Sequence, residues 1–386
     1  MNIEILGVGF ANKGAELMLH AVVQELTRAC PTAKLAVRPQ VGPYEKRARI
    51  GLFQKPGISE APFWGFLLVR IWRRKLRQRY GIVLDSEVDA VLDASGFAYT
   101  DQWGPGPAER LARKAKRWKR AGKKLVLLPQ AFGPFTQART ARAFRTIVEN
   151  ADLLFARDQE SYNHAVGVGG ERKKLKIAPD FTNLVEGKVP THFLATKKRA
   201  CLIPNSNMLE KTSGSTSGSY VPFLAACAEI LDELGVEPFL LVHSTRKDLD
   251  LAEAVRTSLG RPLEVLQEED PLAIKGIIGS CHLVVGSRFH GLVSALSQGI
   301  PSLGAGWSHK YNRLFEDYGC PDLLLSNLDR REEAVSCLKR LADGDGRKAL
   351  VDTLREASAE QARRSRRMWG EVLGVLGAVS PSRTPG

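Results

Sequence analysis

Cysteine is sparse and never paired in sequence. The six thiols, at positions 30, 201, 227, 281, 320 and 337, include no Cys-x-x-Cys, and several lie in apolar runs. That spacing argues against a zinc site or a disulfide framework and fits reduced, buried thiols in a cytoplasmic protein. Long hydrophobic runs are absent as well: no stretch reaches the about 18 apolar residues that read as a membrane-spanning helix. The start, Met1-Asn2-Ile3-Glu4-Ile5-Leu6, has no basic segment ahead of an apolar one, so no secretory signal is expected. Acidic residues are outnumbered, 42 against 56 basic, for a formal charge of +14. Such an excess suits an acidic small molecule, an anionic membrane or nucleic acid. No RNP-type aromatic motif, helix-turn-helix or zinc-finger pattern appears, so nucleic acid is not expected as a partner. The usual phosphate loops are incomplete too. Asn12 stands where the dinucleotide fingerprint needs its third glycine, and Lys13 precedes Gly14 where a P-loop needs the reverse.

What is present is a strand–helix alternation. With 386 residues and 44% hydrophobic composition, the chain is long enough for two full cores. Short apolar runs at 3–8, 35–37, 88–94, 125–129, 153–156 and 175–178 read as buried strands, with helical patterns between them at 15–30, 107–121 and 140–150. A second series starts at 200–204 and continues with helix 221–234, strand 238–243, helix 247–258, strand 263–266 and helix 271–280. The expected architecture is α/β, two Rossmann-like domains. The expected boundaries are 1–185 and 199–345, with a lysine-rich linker at 186–198. A last helix, 346–377, would pack back towards the first domain, and a Pro/Ser/Gly tail, 378–386, would be disordered.

Several strand ends carry polar residues, and that edge is where α/β sheets bind anions and place catalytic groups. Strand 283–285 breaks at Gly286-Ser287 and feeds a helix near 291–298, which leaves Arg288 and His290 at the break. Arginine offers a fixed two-pronged donor for carboxylate or phosphate, and histidine a proton donor or acceptor near neutral pH. After Gly299-Ile300-Pro301 the chain returns to such an edge with Trp307-Ser308-His309-Lys310-Tyr311. The first strand ends in the Gly-rich turn 7–16, containing Asn12 and Gly14, and glycines there permit close backbone approach. Gln130 follows the strand 125–129, and Asn205 follows 200–204. In Ala156-Arg157-Asp158, the aspartate can cap the next helix. Arg157 is then either a second anion donor or the ion-pair partner of a neighbour.

Taken together, these motifs resemble the polysaccharide pyruvyl transferases. The resemblance rests on Arg-x-His after a strand, a helix ending in Gly-Ile-Pro, and aromatic-x-x-Lys. It rests also on Gly-x-x-Asn-x-Gly-Ala-Glu at 9–16, Pro-Gln-x-x-Gly-Pro-Phe at 129–135, and Pro179-Asp180. It covers nearly the whole chain, is most specific at 286–310, and is weakest at 94–101, where Ala94-Ser95 replaces leading glycines. It implies two Rossmann-like domains facing a cleft, as in GT-B glycosyltransferases. It implies transfer of the enolpyruvyl group of phosphoenolpyruvate to a sugar as a cyclic ketal. Phosphoenolpyruvate would be a co-substrate; no cofactor and no metal are implied. The expected catalytic residues are His290 as general acid and Asp101 as base, although a helix-entry aspartate fits Asp101 equally. The expected substrate-binding residues are Arg288, Arg157, Lys310, Asn12, Gly14, Gln130 and Asn205. The acceptor would be a glycan or a lipid-linked oligosaccharide, with domain 1–185 as the acceptor side and domain 199–345 as the phosphoenolpyruvate side.

Three segments stay open. Residues 63–80 set aromatics beside dense positive charge, which fits a peripheral contact with an anionic membrane face or an amphipathic helix with a solvated side. The Gly/Ser stretch 212–219 reads as a flexible insert, either a lid or a loop. Asp248-Leu249-Asp250 reads as a solvated helix face. Two rival functions fit the same residues: a GT-B glycosyltransferase using a nucleotide sugar, and a non-catalytic basic binding protein.

Overall fold

The computed structural model describes residues 1–56, 73–193, 198–210, 214–242, 246–306 and 308–378. They form two all-parallel sheets, each in a compact unit. The first unit comprises residues 1–11, 18–181 and 364–386, the second 12–17 and 182–363.

In the first unit the strands are β1 (Asn2–Leu6), β2 (Lys34–Val37), β3 (Phe53–Gln54), β4 (Ala90–Asp93), β5 (Lys124–Gln130), β6 (Leu153–Ala156) and β7 (Leu175–Ile177). Their order is β3-β2-β1-β4-β5-β6-β7, with Ile3 opposite Leu35, Ile5 opposite Leu92 and Leu127 opposite Leu154. All four residues of β4 and of β6 are buried, as expected of parallel strands covered on both faces. The helix Gly106–Arg120 supplies one cover. Ala108, Leu111, Ala112, Ala115 and Trp118 are buried at three- and four-residue spacing, while Arg113, Lys116, Arg117, Lys119 and Arg120 stay exposed. Trp118, Phe132 and Phe144 fill the core beneath.

The second unit repeats the plan with β8 (Arg199–Ile203), β9 (Glu237–Val242), β10 (Val265–Gln267), β11 (Leu283–Gly286), β12 (Ser302–Ala305) and β13 (Leu324–Leu325). The order β10-β9-β8-β11-β12-β13 is that of a Rossmann sheet, with Val284 opposite Cys201 and Val285 opposite Leu303. In each sheet the order in which successive strands are added reverses between two parallel neighbours, β1/β4 and β8/β11, and the carboxyl ends of those strands form the switch point where ligands bind in such folds.

One expectation is corrected. The Gly/Ser stretch is not a loop: from Gly214 it is the start of a helix, Gly214–Glu233. Its low helix propensity is overridden by the burial of Tyr220, Leu224 and Ala228 farther along the same helix. Residues 211–213 lie outside the described set. The lysine-rich segment expected as a linker is also tied down. Gly187 lies so close to the helix Pro271–Gly279 that a Cβ there would meet the Gly276 nitrogen at 2.5 Å, and Lys188 donates its N–H to Leu272 O. The buried Lys275 ammonium bonds Thr182 O at 2.7 Å. Those residues belong to the second unit, which begins at Thr182. Residues 194–197 lie outside the described set.

The last helix runs Gly344–Leu376; its residues up to 363 group with the second unit and those from 364 with the first. Within the second unit Ser358 and Gln361 bond Leu296 O and Asp317 O. Within the first, Trp369 packs edge-on to Phe181, and Glu371 pairs with Lys176. Residues 379–386, expected as a tail, are outside the described set, as are 57–72, which hold most of the aromatic and basic segment. Of that segment the helix Arg74–Arg79 is described. Arg73, Arg74, Lys75 and Arg79 are exposed there, while Arg77 is buried against Glu87 at 2.6 Å.

Candidate functional site

The polar groups at the carboxyl edge of the second sheet are assembled by Ser287, the residue just past β11. It is fully buried. Its carbonyl accepts Asn205 Nδ2 at 2.7 Å and Tyr311 Oη at 2.9 Å, and its hydroxyl bonds Tyr220 Oη. Asn205 N–H also donates to Tyr220 Oη at 3.1 Å. Burial pushes the Tyr220 phenol well above its ordinary pKa, so it acts as a neutral hydrogen-bonding pin. This network joins the ends of β8 and β11 to the helix Gly214–Glu233 and the helix His309–Asp317. Asn205, expected to meet substrate, is 1% exposed, and its Oδ1 accepts Asn207 N–H. Its side chain therefore fixes the loop rather than facing a ligand.

The next residue, Arg288, is at the N-cap of the helix Phe289–Leu296. Sequence reading places a guanidinium there for an anionic ligand. In the structure it is ion-paired with Asp248, and its Nε approaches Pro204 O at 3.5 Å. Asp248 is 1% exposed and also accepts Ser206 N–H at 2.9 Å. Burial alone would raise its pKa; the Arg288 guanidinium and the Ser206 bond outweigh that and lower it, so it stays charged. The reading of Asp248 as part of a solvated face is thus wrong. The signal was available: Asp248, Leu251, Ala252 and Val255 follow the i, i+3, i+4, i+7 spacing of one buried helical face. Asp250 is on the other side, paired with the exposed Arg246.

His290 occupies the first turn of the same helix. Its ring lies against Gly14 so closely that a Cβ on Gly14 would fall 2.3 Å from Nδ1 and 2.9 Å from Cγ. Any side chain there would force the ring or the helix turn to shift. Gly14 lies in the first turn of the helix Lys13–Ala29, whose residues to Leu17 group with the second unit. Asn12 caps that turn, its Oδ1 accepting Gly14 N–H at 2.9 Å and Ala15 N–H at 3.2 Å. The two members of the Gly-rich turn thus act differently from simple ligand contacts. Asn12 caps the start of the helix, and Gly14 makes room for an imidazole at a positive helix terminus. Lys13 pairs with Glu16 at 2.8 Å. Phe289 packs edge-on to His290 at 5.5 Å between centroids, and Phe289 meets Tyr311 at 5.7 Å. The Lys310 ammonium is 5.3 Å from the Phe289 centroid and 5.4 Å from that of Tyr311. Trp307 lies outside the described residues. Gly14, Arg288, His290 and Lys310 are therefore brought to one edge, around one pair of aromatic rings.

The other three sequence candidates belong to the first unit. Asp101 caps the helix Ala138–Asn150 from a distance: its Oδ2 accepts Thr136 N–H at 2.5 Å, Thr136 Oγ1 at 2.7 Å and Gln137 N–H at 3.1 Å. Partial burial works against its charge, but these bonds outweigh it and lower its pKa, which makes it a weak base. Arg157 is not a spare cation, because it is 6% exposed and paired with Asp180 at 3.3 Å. Asp158 caps the following helix through Ser161 N–H, as its position implies. Gln130 is fully buried at the end of β5, its Nε2 reaching Asp93 O at 3.4 Å. That contact leads to a group the motifs did not reveal. Asp93, fully buried at the end of β4, accepts Ser95 N–H at 3.0 Å, the Ser95 hydroxyl and the Tyr99 hydroxyl. Burial raises the pKa of its carboxyl, and the bonds from Ser95 and Tyr99 offset only part of that. Gly7, with φ +73°, lets β1 turn directly against Ser95. The loop that departs from the usual glycines is thus held by its own hydrogen bonds. Among the described residues no three His, Cys, Asp or Glu side chains converge as a metal site.

Comparison with known proteins adds three findings. Residues 12–309 match the family model for polysaccharide pyruvyl transferase. The amylovoran biosynthesis protein AmsJ of Erwinia amylovora is 22% identical over 259 residues, 61% of this chain and 61% of that protein. The chain thus spans less than two thirds of that relative's length. Among solved structures, HepE of Anabaena in complex with UDP superposes with a TM-score of 0.60 at 15% identity, covering 98% of this chain and 100% of that one. The UDP-GlcNAc 2-epimerase of Neisseria meningitidis bound to UDP-GlcNAc gives 0.62 at 9% identity, covering 97% and 100%. At such identities the likeness is one of fold, the GT-B type.

Proposed function

Because this chain belongs to the polysaccharide pyruvyl transferase family, we propose that it moves the enolpyruvyl group of phosphoenolpyruvate onto a sugar of a cell-surface polysaccharide or its lipid-linked precursor. The observation that carries this reading is the pocketing of the His290 ring against Gly14, beside Arg288 and Lys310. The reaction needs a proton at the methylene carbon of phosphoenolpyruvate. That step makes a methyl group and leaves positive charge on the adjacent carbon. A sugar hydroxyl attacks there, the C–O bond to phosphate breaks, and a second hydroxyl closes the ketal. One proton goes in at carbon and two leave the hydroxyls, so the departing phosphate carries away the surplus proton.

His290 is the general acid of this scheme. A ring packed against Gly14 and edge-on to Phe289 has little freedom to misalign, which is what a proton transfer demands. Arg288 and Lys310 hold the carboxylate and phosphate. Asp248 orients the Arg288 guanidinium through one nitrogen and leaves the planar fork turned in a set direction. Asp101, engaged as a helix cap, is not given the base role. Leaving phosphate is the stronger acceptor for the hydroxyl protons. The exposed Arg73, Arg74, Lys75 and Arg79, beside the exposed Leu76 and Tyr80, suit the anionic membrane face where a lipid-linked acceptor resides.

The test is release of inorganic phosphate from phosphoenolpyruvate with a panel of glycan acceptors. Phosphate release that depends on a glycan supports the reading. Release of UDP from a UDP-sugar, with phosphoenolpyruvate untouched, overturns it in favour of glycosyl transfer.

A further inference from the structure

One cavity of the second unit is absorbed by none of the roles above. It lies past the carboxyl ends of β12 and β13 and has a volume of about 430 Å³, within the range of about 300–1,000 Å³ usual for small-molecule sites. Ser308, Asn312, Glu316 and Ser326 line it with polar groups, and Pro321 and Leu324 with apolar ones. Ser308 is the informative residue. It stands at the N-cap of the helix His309–Asp317, where serine normally accepts a backbone N–H, yet its hydroxyl makes no such bond. Its Oγ is buried and has no hydrogen-bond partner among the described residues. A buried hydroxyl without a partner costs about 1–3 kcal/mol, so a protein that keeps one at a cavity wall has a use for it.

The chemistry of the lining narrows the ligand. Among the described lining residues there is no Lys or Arg, and the one charged group, the Glu316 carboxylate, is ion-paired with Arg313 at 2.5 Å. A phosphate or carboxylate would find no cation among those lining residues, which separates this cavity from the cationic edge at Arg288 and Lys310. A serine hydroxyl both donates and accepts, an amide does the same through two atoms, and a carboxylate accepts. Such a set matches a polyol, whose hydroxyls also do both. Pro321 and Leu324 offer an apolar surface to the C–H face of a sugar ring. The cavity is also mechanically tied to the proposed reaction edge. Asn312 and Glu316 share one side of the helix His309–Asp317, and Tyr311 on the same helix bonds Ser287 O at 2.9 Å. A ligand held by this helix is held in register with the loop that carries Arg288 and His290.

We propose that this cavity takes one neutral pyranose unit of the glycan acceptor; this rests on the acceptor reading above and assigns the acceptor a subsite in the second unit. The experiment is saturation-transfer NMR on the full chain without phosphoenolpyruvate. The probes are the methyl glycosides of glucose, galactose, mannose and N-acetylglucosamine, each against wild type, Asn312→Ala and Ser308→Ala. At least one glycoside should receive saturation from wild type and lose at least about five-fold of it in both variants. Ser308→Ala should melt at or above the wild-type temperature, since it removes a hydroxyl that has no partner. That separates loss of binding from loss of fold. No transfer to any glycoside overturns the proposal. So does transfer that both variants keep, since the sugar then sits elsewhere. Phosphate release from phosphoenolpyruvate is read separately. Sugar binding that meets these criteria while phosphoenolpyruvate is never consumed retains the subsite and rejects the pyruvyl reading.

Discussion

Replacing Gly14 with alanine adds one methyl group directly in front of the His290 ring. Its Cβ would lie 2.3 Å from Nδ1, 2.9 Å from Cγ and 3.1 Å from Cε1. Ordinary contact begins near 3.4 Å, so the ring or the helix turn must retreat by about 1 Å. Overpacking of this kind costs roughly 1–3 kcal/mol, and the better helix propensity of alanine returns up to about 1 kcal/mol. The net loss of stability is therefore about 0–2 kcal/mol, a fall in melting temperature of no more than about 5 °C. A catalytic group displaced by about 1 Å loses far more, on the order of 10²-fold in rate. The assay is phosphate release from phosphoenolpyruvate at saturating acceptor, with melting temperature recorded beside it. His290→Ala should itself lower turnover by about 10²–10⁴-fold, the usual weight of general acid catalysis, with phosphoenolpyruvate binding little changed. The double variant decides the matter. With the imidazole gone there is nothing for the new methyl to strike, so Gly14→Ala should cost nothing further in the His290→Ala background. Gly14→Ala at the wild-type rate, or an equal loss in both backgrounds, would refute the argument.

The ion pair between Arg288 and Asp248 is mostly buried, so Asp248→Ala should lower stability by about 3–5 kcal/mol in urea denaturation at pH 7. The folded pKa of Asp248 is lowered, so the pair's contribution is complete above the unfolded value of about 3.9. It is lost as pH falls through the folded value, and the stability gap between wild type and Asp248→Asn should narrow from pH 5 to pH 3. Arg288→Lys keeps the charge and loses the planar fork. Phosphoenolpyruvate binding by calorimetry should weaken by roughly 1–3 kcal/mol, and unchanged affinity would remove Arg288 from the anion site. For the membrane contact, exchanging Arg73, Arg74, Lys75 and Arg79 for Gln should lower sedimentation with anionic liposomes at low salt, each cation contributing on the order of 1 kcal/mol. Arg77 is left in place because it is buried against Glu87; equal binding by wild type and variant would end the idea.

The sequence by itself determined the strand–helix alternation, most element positions and the parallel character of both sheets. The reason is physical. Strands buried on both faces must be short apolar runs, and their covering helices must show three- and four-residue spacing, so both leave a direct pattern in composition. The prominence of Arg288, His290 and Gly14 was equally legible, because a strand that breaks into a helix exposes its next few residues at a defined edge.

What each of those residues is bonded to was decided by tertiary structure alone. Asp248 lies 40 residues from Arg288, and Asp180 lies 23 from Arg157. No local pattern states that either guanidinium has a partner. Asn205 and Gln130 stand at strand ends like binding residues, but burial commits their amides to Ser287 and Asp93. Asp101 reads as a base or a cap until the fold brings the start of another helix to its carboxylate. Gly214 to Ser219 shows the same limit from the other side, since a sequence of helix-poor residues became helix through the packing of Tyr220 and Leu224 farther along. Gly14 is the clearest case. Its lack of a side chain was visible in the sequence, but that the vacant space is filled by the His290 ring depends on two segments more than 270 residues apart being folded against each other.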